Sequence, residues 1–149
     1  MAESNTDTGY EIIWLVRRLF RSLADTADKY LEGDDLTAAD RAVMEFLYPK
    51  ENLSVPSIAG KYRVSRQHVQ VTVNRLRSIG LVRAEPNPHH KRSQLVHLSE
   101  LGRETFAEIR RNESAIINKL FAELKEPDVE VTKLVLQSLL TRCEQGELS

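Results

Sequence analysis

The chemistry-bearing residues of this chain concentrate in two short stretches. The first runs from Ser65 to Arg75 and holds Arg66, Gln67, His68, Gln70, Val71, Asn74 and Arg75, without a single carboxylate. Glutamine and asparagine pair bidentately with adenine, arginine pairs with guanine, and an exposed valine meets the thymine methyl, so this set matches what a DNA major groove offers. The second is a turn-rich segment carrying His89, His90, Lys91 and Arg92. Its charge and slenderness suit a run of phosphates or an A·T-rich minor groove, where the potential is most negative. Taken singly, each stretch reads as a solvated helix face or an ordinary exposed turn; their proximity in the chain favours the nucleic-acid reading.

Both stretches need elements to aim them. Ile58, Ala59, Val64, Ser65, Val69, Val73, Leu76, Gly80, Leu81 and Val82 have the spacing of a helix-turn-helix. Ala59 is small enough for two helices to cross closely, Val64 plugs the turn, Ser65 caps the second helix, and Val69, Val73 and Leu76 hold that helix to a core. The first of the two helices starts at a Ser54 cap with Pro56 in its first turn and runs to about Tyr62, and Gly80 terminates the second after Ile79. The period then changes to that of strands over Leu81–Glu85 and Ser93–Leu98, around Pro86–Arg92, which predicts a two-stranded hairpin.

Helices flank this unit. Ile12, Val16, Leu19, Leu23, Ala27 and Tyr30 form an apolar stripe over Glu11–Leu31, ended by Gly33, Asp34 and Asp35. Thr37-Ala-Ala-Asp40 reads as a capping box opening a helix that Pro49 stops. Ser99 caps a long helix from Glu100 to about Leu124, with Leu101, Phe106, Ile109, Ile116, Leu120 and Leu124 on one face, and Pro127 opens a last helix. About 25 helical residues span roughly 37 Å, more than the small unit before them, so part of this helix stands clear. Its stripe and those of the first and last helices need a partner surface, and a second copy of the chain is the simplest one.

Composition narrows the function classes. The 149 residues carry 21 Lys+Arg against 22 Asp+Glu, a net charge of −1 that conceals strong segregation. Ser54–Glu100 holds eight Lys/Arg against two acids, a balance of +6, and the remainder carries −7. A basic middle between acidic flanks is the footprint of a polyanion partner. No apolar run approaches the length of a membrane span, and the N-terminal residues lack a signal-peptide pattern, so a cytoplasmic protein is expected. The single cysteine, Cys143, cannot form an internal disulfide. It sits beside Glu144, which disfavours a thiolate, and a packed or incidental thiol is expected rather than a redox sensor. The four histidines show no ligand spacing, so no metal or other cofactor is expected. No nucleophile–base set, phosphate-cradling glycine loop or HExxH helix points to an enzyme.

The order of long helix, Leu36–Asp40 helix, helix-turn-helix, wing, and then Leu95-Val-His-Leu-Ser-Glu-Leu-Gly-Arg103 entering a long helix resembles the MarR family of winged helix-turn-helix transcription regulators. The resemblance extends from about Tyr10 to Cys143 and is most specific at the wing return, Arg92 to Gly102. It implies a mainly α fold, with a winged lobe at residues 36–99 and dimerisation helices at 1–35 and 100–149. It implies a homodimer on double-stranded DNA, most often a repressor, whose recognition helices enter major grooves about 10 bp apart in a pseudo-palindrome. On this sequence Ser65 to Arg75 would read bases and Lys91 and Arg92 would serve the wing tip. It further implies a pocket for a small aromatic or phenolic effector, with Trp14, Arg17, Arg18 and Phe46 as candidates. The sequence departs from the family in lacking both wing aspartates over Asn87–Arg92, in Val71 where arginine is common, and in Arg63 where glycine is common. The competing reading is a winged-helix module that binds protein rather than DNA.

Overall fold

A computed structural model describes residues 2–146 apart from Glu32 and Asp34. The expected role of Asp34 in ending the first helix, and that of the Tyr30 side chain in its stripe, lie outside the described residues. The elements run α1 (Ala2–Leu31), α2 (Ala38–Leu47), β1 (Leu53–Ser54), α3 (Val55–Tyr62), α4 (Arg66–Ser78), β2 (Val82–Asn87), β3 (His90–Leu98), α5 (Glu100–Phe121) and α6 (Glu126–Glu144). The chain divides into a first compact unit through Glu108 and a second from Ile109 onward.

In the first unit, each helix starts where the local chemistry dictates. Thr37 and Asp40 form the full capping box: the Asp40 amide donates to Thr37 Oγ1 at 3.2 Å and the Thr37 amide to Asp40 Oδ2 at 2.8 Å. Ser54 Oγ accepts from the Ser57 amide, and Ser65 Oγ from the His68 amide at 3.0 Å. Arg63 closes α3 in the left-handed region at φ 58°, the conformation that glycine adopts most cheaply, and its amide donates to the Ala59 carbonyl. Gly80, at φ 81°, takes the same region after α4.

The core of this unit lies beneath α4. Val43, Met44 and Leu47 of α2, Ile58 of α3, Val69, Val73 and Leu76 of α4, Val82 of β2, Val96 and Leu98 of β3, and Phe106 of α5 are all buried. Each such side chain contributes about 1.5–3 kcal/mol by leaving water. Ala59 is buried as well, at the α3–α4 crossing where a larger residue would hold the helices apart. Phe106 packs against Tyr48, and the Arg41 guanidinium lies over the Phe106 ring, 5.7 Å from its centroid.

Three boundaries differ from the sequence reading. The helix expected from Glu11 begins at Ala2. The expected two-stranded hairpin is part of a three-stranded antiparallel sheet of order β1-β3-β2, because Leu53 and Ser54 pair with Val96 and Leu95 before α3 begins. A two-residue strand is too short for any periodicity to reveal. The wing strands also reach further toward the tip than expected, pairing Asn87 with His90 beyond an irregularity at Pro86/Asn87, so most of the basic segment is strand.

Ser99 joins the wing to α5. Its amide donates to the Leu81 carbonyl at 2.9 Å, its hydroxyl donates to the Gly80 carbonyl at 2.6 Å, and its Oγ accepts from the Gly102 amide at 2.9 Å. α5 thus starts hard against the Leu81 backbone, and a Cβ at Gly102 would overlap the Leu81 carbonyl oxygen. In the second unit, α6 has no buried residue, leaving Val131, Leu134, Val135 and Leu140 exposed. Gly102→Ala is expected to destabilise the fold by about 1–3 kcal/mol, since backbone rather than a movable side chain must yield. Urea denaturation of the two proteins measures this, and an unchanged midpoint would refute the close approach.

Candidate nucleic-acid interface

The surface built by α4 begins with its buried side. With Val69, Thr72, Val73 and Leu76 turned inward, the residues between them face solvent. Arg66, Gln67, His68, Gln70, Val71 and Asn74 are all exposed, Val71 to 62%. Gln70 Nε2 donates to Asn74 Oδ1 at 2.9 Å, so the two amides are presented as one unit across a helical turn. His68 lies beside Tyr62, with ring centroids 6.4 Å apart. Ser65, expected among the base readers, has its hydroxyl oxygen occupied by the α4 cap.

Arg75 departs from the expected outward set. Its guanidinium turns away from the α4 face, pairs with the Asp40 carboxylate through Nη1, and donates from Nη2 to the Asp35 carbonyl. Asp40 is only 1% exposed whereas the Arg75 side chain is 39% exposed, so the carboxylate is the group that needs the pair. A carboxylate removed from water requires a counter-charge, and Arg75 is the cation within reach. The expectation that Arg75 reads bases is therefore corrected: its fork is engaged with α2 and the segment preceding it.

At the wing tip His89, His90, Lys91 and Arg92 are all exposed. Asn87 organises the turn. Its Oδ1 accepts from the His89 amide at 3.0 Å and its Nδ2 donates to Ser93 Oγ at 3.1 Å. His97, the remaining histidine of the basic segment, sits at the wing base with Nε2 3.7 Å from Glu85. Among the described residues no group of three or more His, Cys, Asp or Glu could hold a metal ion, and no helix is long and apolar enough to cross a membrane.

Between α4 and the wing lies a groove of about 480 Å³. Arg66, Gln67, Gln70 and Arg77 line it from α4, and Arg92, Ser93 and Gln94 from β3. Arg77, Ser93 and Gln94 were missed in the sequence reading. Arg77 could have been found, because residues 66, 70, 73 and 77 follow a spacing of four, three and four and share one helical face. Ser93 and Gln94 carried no such signal, since their position depends on the wing's register.

The four effector candidates are not all alike in their surroundings. Trp14 is 58% exposed, with Arg17 and Arg18 also exposed along α1. Phe46 is half-buried and packs on Tyr62 at 5.8 Å between centroids.

Solved structures share this arrangement of elements. BldR from Sulfolobus solfataricus superposes with a TM-score of 0.83 at 20% identity, over 92% of this chain and 97% of that one. FabT of Streptococcus pneumoniae, solved in complex with DNA, gives a TM-score of 0.75 at 16% identity, over 91% and 97%. The chain has the MarR winged-helix fold. Among curated proteins, the HTH-type transcriptional regulator MhqR of Bacillus subtilis (strain 168) is similar to this chain at 22% identity over 140 residues, covering 94% of this chain and 97% of MhqR. No family model matches the sequence.

Asp40 thus serves both α2 and α4, and its replacement is expected to cost more than that of its partner. Arg75→Ala should destabilise by about 1–3 kcal/mol, moderated by the water that reaches the site, and Asp40→Ala by more, because the α2 cap is lost with the pair. Thermal unfolding of the two variants and the double variant measures the coupling; strictly additive losses would mean that the pair contributes nothing.

Proposed function

We propose that the protein is a sequence-specific DNA-binding transcription regulator, acting as a homodimeric repressor on a pseudo-palindromic operator. One observation carries this reading: on the MarR winged-helix fold, the exposed face of α4 presents amides, a valine methyl pair and a guanidinium without any carboxylate, next to a basic wing. Gln67, Gln70 and Asn74 are the base readers, with Arg66 and Val71 beside them, and His68 flanks the set. His89, His90, Lys91 and Arg92 follow phosphates or enter the minor groove. Arg75 and Ser65 position α4 rather than read bases. The DNA complex of FabT supports a duplex as the partner of this fold.

The homodimer is supported by apolar surface that each unit exposes separately. In the first unit Trp14, Leu15, Val16, Leu19 and Phe20 of α1 are exposed, and in the second Leu134, Val135 and Leu140 of α6. Stripes of this extent are covered by a partner in soluble proteins. Residues 36–99 form the DNA-binding lobe in this reading, with 1–35 and 100–149 providing the dimer contacts. A small aromatic or phenolic effector near Trp14, Arg17, Arg18 and Phe46 relieves repression by favouring a dimer with differently spaced recognition helices. The setting is cytoplasmic, and no catalytic step is part of the activity.

Titration of duplex DNA at two salt concentrations tests the reading, since phosphate neutralisation makes affinity fall steeply with salt. Gln67→Ala is expected to lose about 1–3 kcal/mol at the cognate site only. Lys91→Ala is expected to weaken all duplexes alike and to reduce the salt slope by about one. Failure to bind duplex at either salt would support the protein-interaction module instead. Sedimentation at micromolar concentration is expected to show a dimer, and a stable folded monomer would remove that part of the reading.

A further inference from the structure

We propose, on the reading of α4 as the base-contacting helix, that Gln70 is a reader of adenine and that Asn74 makes it one by holding the Gln70 side-chain amide in a single orientation. Gln70 Nε2 donates to Asn74 Oδ1 at 2.9 Å, one helical turn further along, and both side chains are exposed. Among the described residues this is the one hydrogen bond between two exposed side chains of α4, and Gln67 on the same face has no such partner.

The chemistry of the purines gives this bond its consequence. A glutamine amide carries one acceptor oxygen and two N–H donors. Free to rotate, it can turn its oxygen and one N–H to adenine, whose major-groove edge offers the N6 amino group and N7. It can equally turn N–H groups to guanine, whose edge offers the acceptors O6 and N7. An unrestrained glutamine therefore tolerates either base. At Gln70 one N–H is spent on Asn74 Oδ1, which leaves one N–H and the carbonyl oxygen, the complement of adenine. Guanine in the same place would set its O6 against the Gln70 oxygen, two acceptors with no hydrogen between them.

Asn74 spends on this bond the acceptor with which it would itself read adenine, so it acts through Gln70 as a positioning residue. Because the bond exists before a duplex arrives, Gln70 also has less side-chain freedom to lose on binding. Val71, adjacent and exposed, suits the thymine methyl, so this turn of α4 is directed to A·T pairs.

Selection of duplexes from a random pool by the full-length protein yields the preferred site, and single A·T to G·C replacements along it are then titrated with wild type and variants. The wild type is expected to lose about tenfold or more in affinity at one such replacement in each half-site, and Gln70→Ala to lose that penalty. Asn74→Ala is expected to cut the same penalty to about threefold or less, and the double variant to cut it no further. Asn74→Asp retains an oxygen for Gln70 Nε2, so it is expected to keep the penalty while binding every duplex more weakly through its added negative charge. If Asn74 merely supported the helix, Asn74→Ala would weaken all duplexes in proportion and leave the penalty in place, which would overturn the assignment. Loss of discrimination at a base pair other than the one Gln70→Ala affects would overturn it too, since Asn74 would then read its own base. A pool that yields no preferred sequence overturns the regulator reading and this assignment together, whereas a preferred sequence whose penalty is indifferent to Asn74 overturns the assignment alone.

Discussion

The buried carboxylate of Asp40 is the constraint on which the winged lobe depends. One oxygen, Oδ2, accepts the Thr37 amide and meets the Arg75 guanidinium, so the start of α2 and the last turn of α4 share a single charge. Arg75 also reaches the Asp35 carbonyl in the segment between α1 and α2. Loss of either partner would leave a charge or a polar group buried without compensation, which is far more costly than the pair is favourable. The consequence is geometric. α4 is tied on its inner side to the segment between α1 and α2, and its rotation about its own axis is set by that tie together with Val69, Val73 and Leu76.

This tie also sorts charge. The carboxylate close to α4 is buried and neutralised from within, so the outward face of the helix remains free of acid. Bases in the groove and on the wing then act on whatever approaches from solvent, with little internal competition. A near-neutral chain can therefore present a concentrated positive field over one side of a small lobe. Such a field acts on anions at long range, whereas the neutral amides of Gln67, Gln70 and Asn74 on the same face act only at hydrogen-bonding distance.

The wing turn is held by neutral groups. Asn87 accepts from the His89 amide and donates to Ser93. Arg92, two residues beyond His90 on β3, lines the α4–wing groove. Identity of 16–20% with the solved structures accompanies the same arrangement of elements.

The sequence alone determined the elements whose signals are local. Capping chemistry at Thr37, Ser54, Ser65 and Ser99, the stop at Gly80, and the three- and four-residue spacing of Val69, Val73 and Leu76 each depend on residues within one or two helical turns. Hydrogen bonds and periodicity at that range are written in the chain order. Tertiary structure alone decided the pairing of Leu53 and Ser54 with β3, the turning of Arg75 toward Asp40, and the placing of Arg66, Arg77 and Arg92 along one groove. Each joins residues more than ten positions apart, and the direction a long charged side chain takes depends on which buried counter-charge the fold brings near it. Arg75 and Arg77 are two positions apart on one helix and equally basic, yet one is held by a buried acid and the other faces an open groove.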